Sequence, residues 1–493
     1  MITRPCPSVR ERADLPPRPR TATGARVLTA LPATTGAPAS PSAPETRKAL
    51  RPARLLRWIV DGLAVAGAAI ALAGPAFAQS TALEVPARDD IVVEHLPAHP
   101  GDAAERRAQR AAERAQRLEL QQHPDELGLA LEAAQQALAR ARLHGDPREL
   151  GTVEAALAPW WKLAEPPPAV RLARATVHQS QHDFALALAD LDALLAASPA
   201  APLPLRAQAE LTRSGVHQVL GHFAQAEAGC RRLAGPEFAA LGSSTRLSAL
   251  ACLAELASLQ GRADAAAATL ARLAGAPDPG SVAPTAGEPP PAWLDLMRAE
   301  LAQRRGDAAA GALFAAALAA NPDVYTRCAY ADWLLEQHEP AQAVRLLLGH
   351  EAADPVLLRL ALAYRQLHGP RHALTVAATR TLGERFDAAL LRGDRSHGRE
   401  QSRYALDLRG DTRAALTLAA ANWRVQHEPA DALALVRAAR AAHRDDAAEA
   451  VWQFLRQTGG ADARLGPDPA PVPPAAAASA APSLPLALLR SPS

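Results

Sequence analysis

Glycine or histidine punctuates this chain at near-regular intervals, at His182, Gly221, Gly261, Gly306, His338, His368, Gly410 and His443, with spacings of 39, 40, 45, 32, 30, 42 and 33 residues. Five residues beyond these anchors stand Ala187, Ala226, Ala266, Gly311, Ala343, Ala373, Ala415 and Ala448. A position that admits a methyl group or less, repeated at a fixed offset from a turn, marks a place where two helices cross closely. Such a period means a solenoid, in which each unit is one helix pair that buries its apolar face against its neighbours. The composition agrees: aromatic residues make up only 4% of the chain, while alanine and leucine dominate, a mixture that favours helices packed through small side chains. Because repeat contacts are made between neighbours, truncation from either end is expected to unfold the array gradually.

Seven residues before the first seven anchors lie Ala175, Ser214, Ala254, Ala299, Ala331, Ala361 and Arg403, small in six of seven cases. An aromatic residue follows two after the turn at Phe184 and Phe223, and a unit-terminal proline is in register at Pro199 and Pro355. These positions resemble the tetratricopeptide repeat, a 34-residue helix-turn-helix unit. The match spans about residues 125 to 460, and no unit has the full tryptophan-leucine-glycine-tyrosine set of the family's first helix. The resemblance implies an all-α, right-handed superhelical solenoid of antiparallel helix pairs. It also implies a concave groove, lined by the first helix of each pair, that holds a peptide segment or helix of a protein partner. Carried over position by position, the groove residues are Thr176, Gln179, Gln218, Glu255, Glu300, Gln303, Asp332, Arg365, His397, Glu400, Tyr404, Asp407, Arg437 and Arg440.

Around this array the chain divides by composition. Residues 1–50 read as a disordered extension or as the product of a misplaced start codon, within a basic stretch that runs to residue 57, and translation starting near Val27 or Leu50 would leave an ordinary leader. Residues 51–78 read as a signal peptide: a positive stretch from Arg51 to Arg57, an uncharged apolar run from Leu63 to Gly74, and Ala76-Phe77-Ala78 ahead of Gln79. The run is shorter than the ~20 residues a spanning helix needs, so export to the periplasm is the expectation, with an uncleaved inner-membrane anchor the alternative. Residues 79–124 read as a flexible lead-in and a charged helix, 125–165 as a degenerate first helix pair, and 166–460 as the array. A Pro/Gly/Ala-rich disordered loop is expected at about 275–291, a more polar insertion near Leu382 to Ser396, and a disordered Pro/Ala-rich tail over 461–493. Helix ends are expected at Pro199, Pro322 and Pro355.

The mature chain carries Cys230, Cys252 and Cys328. Cys230 falls on the second helix of one unit and Cys252 on the first helix of the next, so they are the candidate disulfide in an oxidising compartment; the alternative is that all three are small core residues.

The formal net charge is +2 with acids and bases interspersed, which leaves no basic stripe for nucleic acid. There is no G-x-S-x-G, no phosphate-cradling glycine loop and no C-x-x-C. His178 and His182 are four apart but lack the intervening glutamate of a zinc-protease helix, and two of the three Arg-Gly-Asp triplets coincide with repeat turns. No cofactor and no metal site is expected, and the first reading is a non-enzymatic exported scaffold that assembles or tethers an envelope complex. The alternative is an envelope enzyme or enzyme accessory built on His397, Glu400, Tyr404 and Asp407, which ideal helical geometry would place on one face.

Overall fold

The computed structural model describes residues 103–197, 199–275, 291–391 and 398–467, which contain helices and no strand. A largely exposed charged helix, α1 (Ala103–Gln122), precedes α2 (Leu127–His144), α3 (Arg148–Ala156) and the short α4 (Ala158–Trp161). The regular pairs follow: α5 (Pro168–Ser180) with α6 (Phe184–Leu195), α7 (Leu203–Val219) with α8 (Phe223–Ala234), and, after a 3₁₀ turn, α9 (Ser243–Leu259) with α10 (Ala263–Gly275). Next come α11 (Ala292–Arg305) with α12 (Ala310–Ala320), α13 (Val324–Glu336) with α14 (Pro340–Leu347), and α15 (Asp354–His368) with α16 (Ala373–Leu391). The last elements are α17 (Gly398–Arg403), running into a π-helical turn at Tyr404–Arg409, then α18 (Thr412–Trp423), α19 (Pro429–Ala441) and α20 (Glu449–Thr458). Successive helices pack on one another along the chain, which is the architecture of an all-α solenoid of helix pairs.

The anchors owe their identity to backbone conformation. His182, Gly221, Gly261, Gly306, His338, Gly410 and His443 all have φ between +53° and +77°, and the three histidines are the non-glycine residues with positive φ among the described residues. The residue after the anchor commonly closes the helix by donating to the carbonyl five back, as Asp183 does to His178 (2.9 Å) and Glu339 to Leu334 (2.8 Å). This left-handed C-terminal cap satisfies carbonyls that the helix leaves orphaned, and glycine enters it without the strain of a Cβ. The exposed His338 carries that strain without a side-chain role. His338→Gly is therefore expected to raise stability by about 1 kcal/mol in chemical denaturation. His182→Gly should lower it instead, because the His182 ring stacks on Phe184 at 5.0 Å and its Nδ1 accepts from Gln426.

The crossing positions are filled as the small-residue pattern requires. Ala175, Ala299, Ala331 and Ala361 are fully buried, as are Ala187, Ala226, Ala343 and Ala415. At Gly311 an added Cβ would lie 2.3 Å from the Trp333 ring, so the helices meet there with no room for a methyl group. Two expectations need correction. His368 is the last residue of α15, and the left-handed residue is Gly369, so Ala373 opens the next helix on the surface while Thr375 and Ala378 enter the core. The polar insertion expected from Leu382 is helical as far as Leu391, because Leu382, Phe386 and Ala389 keep a buried stripe three and four residues apart. Pro199 and Pro322 lie just past helix ends, whereas Pro355 sits in the first turn of α15, where a missing N–H costs nothing. The leader at 51–78, the loop at 276–290, His397 and the expected tail from 468 onward lie outside the described residues, whereas residues 461–467 of that tail are ordered, with a 3₁₀ turn at Ala463–Leu465 whose Leu465 is buried in the core. No helix among the described residues is long and apolar enough to cross a membrane.

Cys230 on α8 and Cys252 on α9 are joined, with Cα atoms 6.1 Å apart, inside the span a disulfide tolerates. Cys328 is buried, and burial pushes its thiol up to about 12, which leaves it inert at neutral pH.

Neighbour contacts alone do not describe the body. Residues 425–467 return to the turns between the early helix pairs. His427 donates its backbone N–H to Val219 O (2.8 Å), Phe454 meets Phe223 edge-on at 5.7 Å, and Gly459 lies against Gly261. The turn at Gly145 rests against Val324 and Ala353. The strictly gradual unfolding expected of a nearest-neighbour array is thus modified by contacts that tie its last units to its first.

Candidate binding chamber

The return of the C-terminal units borders a half-open chamber of about 1760 Å³, lined by residues from Leu138 to Arg464. Of the groove residues read from the repeat, Gln218, Glu255, Glu300, Gln303, Asp332, Arg365, Glu400, Asp407, Arg437 and Arg440 all face it. Nine of them converge because they sit three or six residues before the turn anchor of their pair, while Glu400 lies ten before Gly410. Gln179 is a correction: it is only 1% exposed and lies in the packing beneath the early turns, as does the buried Thr176, whose hydroxyl donates to Leu172 O. Tyr404 is another, since its ring packs edge-on against Phe386 at 5.5 Å, away from the chamber. The cause is the π-helical turn that begins at Tyr404, which breaks the 3.6-residue register assumed for Glu400, Tyr404 and Asp407. His397 lies outside the described residues, and of the other three residues of the expected polar face Glu400 and Asp407 line the chamber while Tyr404 does not.

The wall mixes apolar and charged side chains, and many of the charges are paired with one another. Asp332 accepts from Arg359 (2.7 Å) and from both terminal nitrogens of Arg403 (2.8 and 2.9 Å). Although burial opposes ionisation, the two guanidinium groups hold its carboxyl well below the usual carboxylate range. Arg403 is the one bulky residue among the small crossing positions, and this pairing is what it does there. Arg399 bonds Glu428 and Asp431 (3.2 Å each), Gln303 donates to Glu336 (2.7 Å), Arg304 donates to Glu255 (3.1 Å) and Ser258 (2.7 Å), and Arg437 donates to Asp407 (2.8 Å). Arg440 stands 5.9 Å over the Trp452 ring. Among the described residues no group of three or more histidines, cysteines and carboxylates is placed to hold a metal ion.

Tyr325 donates to Glu300 at 2.6 Å. Burial, aided by Glu255 and opposed by that hydrogen bond, pushes the Glu300 carboxyl up to about 7. Its folded value thus exceeds its unfolded one, so the folded state holds the extra proton, and the associated stability is full below about pH 4.5 and lost as pH rises through 7. Between pH 6 and 8.5 this site should lower stability by on the order of 1 kcal/mol. Glu300→Gln keeps an acceptor for Tyr325 but cannot ionise, so its melting temperature should fall less over that range than that of the unaltered chain.

Several lining residues escape a reading by repeat position: Trp293, Arg304, Arg399, Glu428 and Arg464. Arg304 and Arg399 each stand one residue from an inner-face position, at Gln303 and Glu400, and that adjacency was the available signal. Glu428 and Arg464 lie between helices or beyond the last pair, where no period applies.

No protein-family model matches the chain, and no curated protein matches it. Among solved structures it is similar to a chain in the crystal structure of the APC/C hetero-tetramer Cut9-Hcn1, at 13% identity, with 68% of this chain and 85% of that one covered and a TM-score of 0.24. It is also similar to the P58(IPK) TPR domain, at 13% identity over 64% of this chain and 98% of that one, with a TM-score of 0.16. Superpositions of that extent carry no weight on fold or function. The helix pairs, their left-handed turns and their small-residue crossings define the class themselves: a tetratricopeptide-like solenoid whose inner helices border a charged chamber.

Proposed function

We propose that this chain is a non-enzymatic, exported scaffold that holds a segment of a protein partner inside the chamber and so assembles or tethers an envelope complex. The observation that carries the reading is the convergence of ten polar side chains read from the repeat on one partly open volume. A space of about 1760 Å³ exceeds the 300–1,000 Å³ of ordinary small-molecule pockets and suits a peptide segment or a helical turn. Export rests on the leader read at residues 51–78, and a membrane-anchored form of the same scaffold would follow if that leader stayed uncleaved.

The test is site-specific photo-crosslinking in the envelope. A photoreactive residue at Gln218, inside the chamber, should yield one dominant adduct, and the same residue at the exposed Leu186 should not. Equal labelling from both positions, or none from Gln218, would sink the chamber as the binding site. Fractionation of the same cells checks location: a precursor retained wholly in the cytoplasm would overturn export.

A further inference from the structure

The following rests on the chamber being the binding site. One sector of its wall is acidic. Glu255 comes from α9, Glu300 from α11, Glu400 from α17 and Glu428 from the start of α19, where the buried Asp431 accepts from the Glu428 backbone N–H. Only Glu428 and Asp431 share a capping box, with reciprocal side-chain to backbone bonds; the others are brought in by tertiary packing. Arg304 hydrogen-bonds Glu255, and Arg399 hydrogen-bonds Glu428 and Asp431.

Two buried carboxylate oxygens on this wall lack a hydrogen-bond donor. Glu400 is only 2% exposed, yet its Oε1 accepts no hydrogen bond and has Arg399 Nε at 3.6 Å. Glu255 Oε2 is likewise buried without a donor, although its other oxygen is held by Arg304. Both residues line the chamber, as does Trp293, an aromatic side chain 4% exposed. Buried acceptors lacking donors are what a positively charged N–H donor would complete.

We propose that the chamber takes a cationic side chain, the ammonium or guanidinium group of a basic peptide segment, in the sector bounded by Glu255 and Glu400. Of the arginines that line the chamber and would favour an acidic ligand instead, Arg437 and Arg440 stand at the opposite end of α19, with Arg440 about 13 Å along the helix from Asp431. The basic group enters the N-terminal, acidic end.

A consequence concerns protons. Glu300, facing Glu255, Tyr325, Arg304 and Arg464, and Glu428, facing Asp431, Arg399 and Glu300, are both raised by burial above the usual carboxylate range. An incoming cation favours their ionised forms. Binding therefore releases protons near neutral pH, and affinity rises with pH.

The experiment uses the full-length chain and three capped decapeptides of glycine, serine and alanine that differ only in two central residues: lysine, norleucine or glutamate. Isothermal titration at pH 8.5 should show the lysine peptide binding at least tenfold tighter than the norleucine peptide, and at least threefold weaker at pH 6. Titration in two buffers of different ionisation enthalpy should show net proton release. Glu400→Gln and Glu255→Gln should each bring lysine affinity toward the norleucine value. Should Glu400→Gln fail to fold, the more accessible Glu255→Gln and the proton count on the unaltered chain still decide. Equal affinity for lysine and norleucine, tighter binding of glutamate, or no binding of any peptide at millimolar concentration overturns the cation assignment. Whether the chamber binds a partner at all is decided separately by the Gln218 crosslink: an adduct that the lysine peptide does not displace would remove this inference and leave the scaffold reading standing.

Discussion

Asp332→Ala is expected to destabilise the fold by about 3 kcal/mol or more, the largest loss of any single side chain on the chamber wall. The cost comes less from the contact removed than from what remains. Arg359 and Arg403 approach Asp332 from α15 and α17, and without it two partly buried guanidinium groups face each other with no anion between them. Asp332→Asn keeps the shape and one acceptor and should fall between alanine and the unaltered chain. Because the Asp332 carboxyl lies well below its ordinary value when folded, its contribution is fully present above about pH 4 and is lost only in stronger acid. Thermal melts of the three chains at pH 7 check the order, and a repeat at pH 5 should preserve it. Equal melting temperatures for alanine and unaltered chains would mean that the two arginines find other partners.

The second large effect lies where the C-terminal units land. Gly261 has φ of +77°, and a Cβ added there would stand 2.6 Å from the Gly459 carbonyl oxygen. Gly261→Ala thus meets two penalties at once, left-handed strain of about 1–2 kcal/mol and a clash with backbone that no rotamer change relieves. Gly410→Ala is the control, since Gly410 has φ of +70° and open space around its Cβ position. The control should cost about 1 kcal/mol and keep the closed shape. Gly261→Ala should cost clearly more and loosen the seam, seen as faster amide exchange over residues 425–465 and a larger radius of gyration. Identical exchange in both variants would show that the contact with Gly459 does not hold the body closed.

The two predictions probe different levels of legibility. Left-handed turns at Gly221, Gly261, Gly306 and Gly410 were readable because a helix cap is decided within about six residues. The buried alanines at 175, 299, 331 and 361 were readable because a helix crossing repeats with the unit. Nine of the ten chamber residues followed from the same period, since equivalent positions on successive helices face one axis. Tyr404 and Gln179 were misplaced for local reasons, a π-helical turn in one case and tight packing under the early turns in the other. Where the period stops, as at Glu428 and Arg464, so did the reading.

What the amino-acid sequence determined by itself is the unit: a helix pair, its left-handed turn, its small-residue crossing and the face each inner helix presents. These are short-range properties, set by backbone conformation and side-chain volume within one or two repeats. Only the tertiary structure decided that the array closes on itself. The pairs that close or brace it, such as Asp332 with Arg403, 71 residues apart, and His182 with Gln426, 244 residues apart, depend on small angles between successive units. Those angles accumulate over many helix pairs, so an error invisible in any one repeat decides whether distant charges meet or miss.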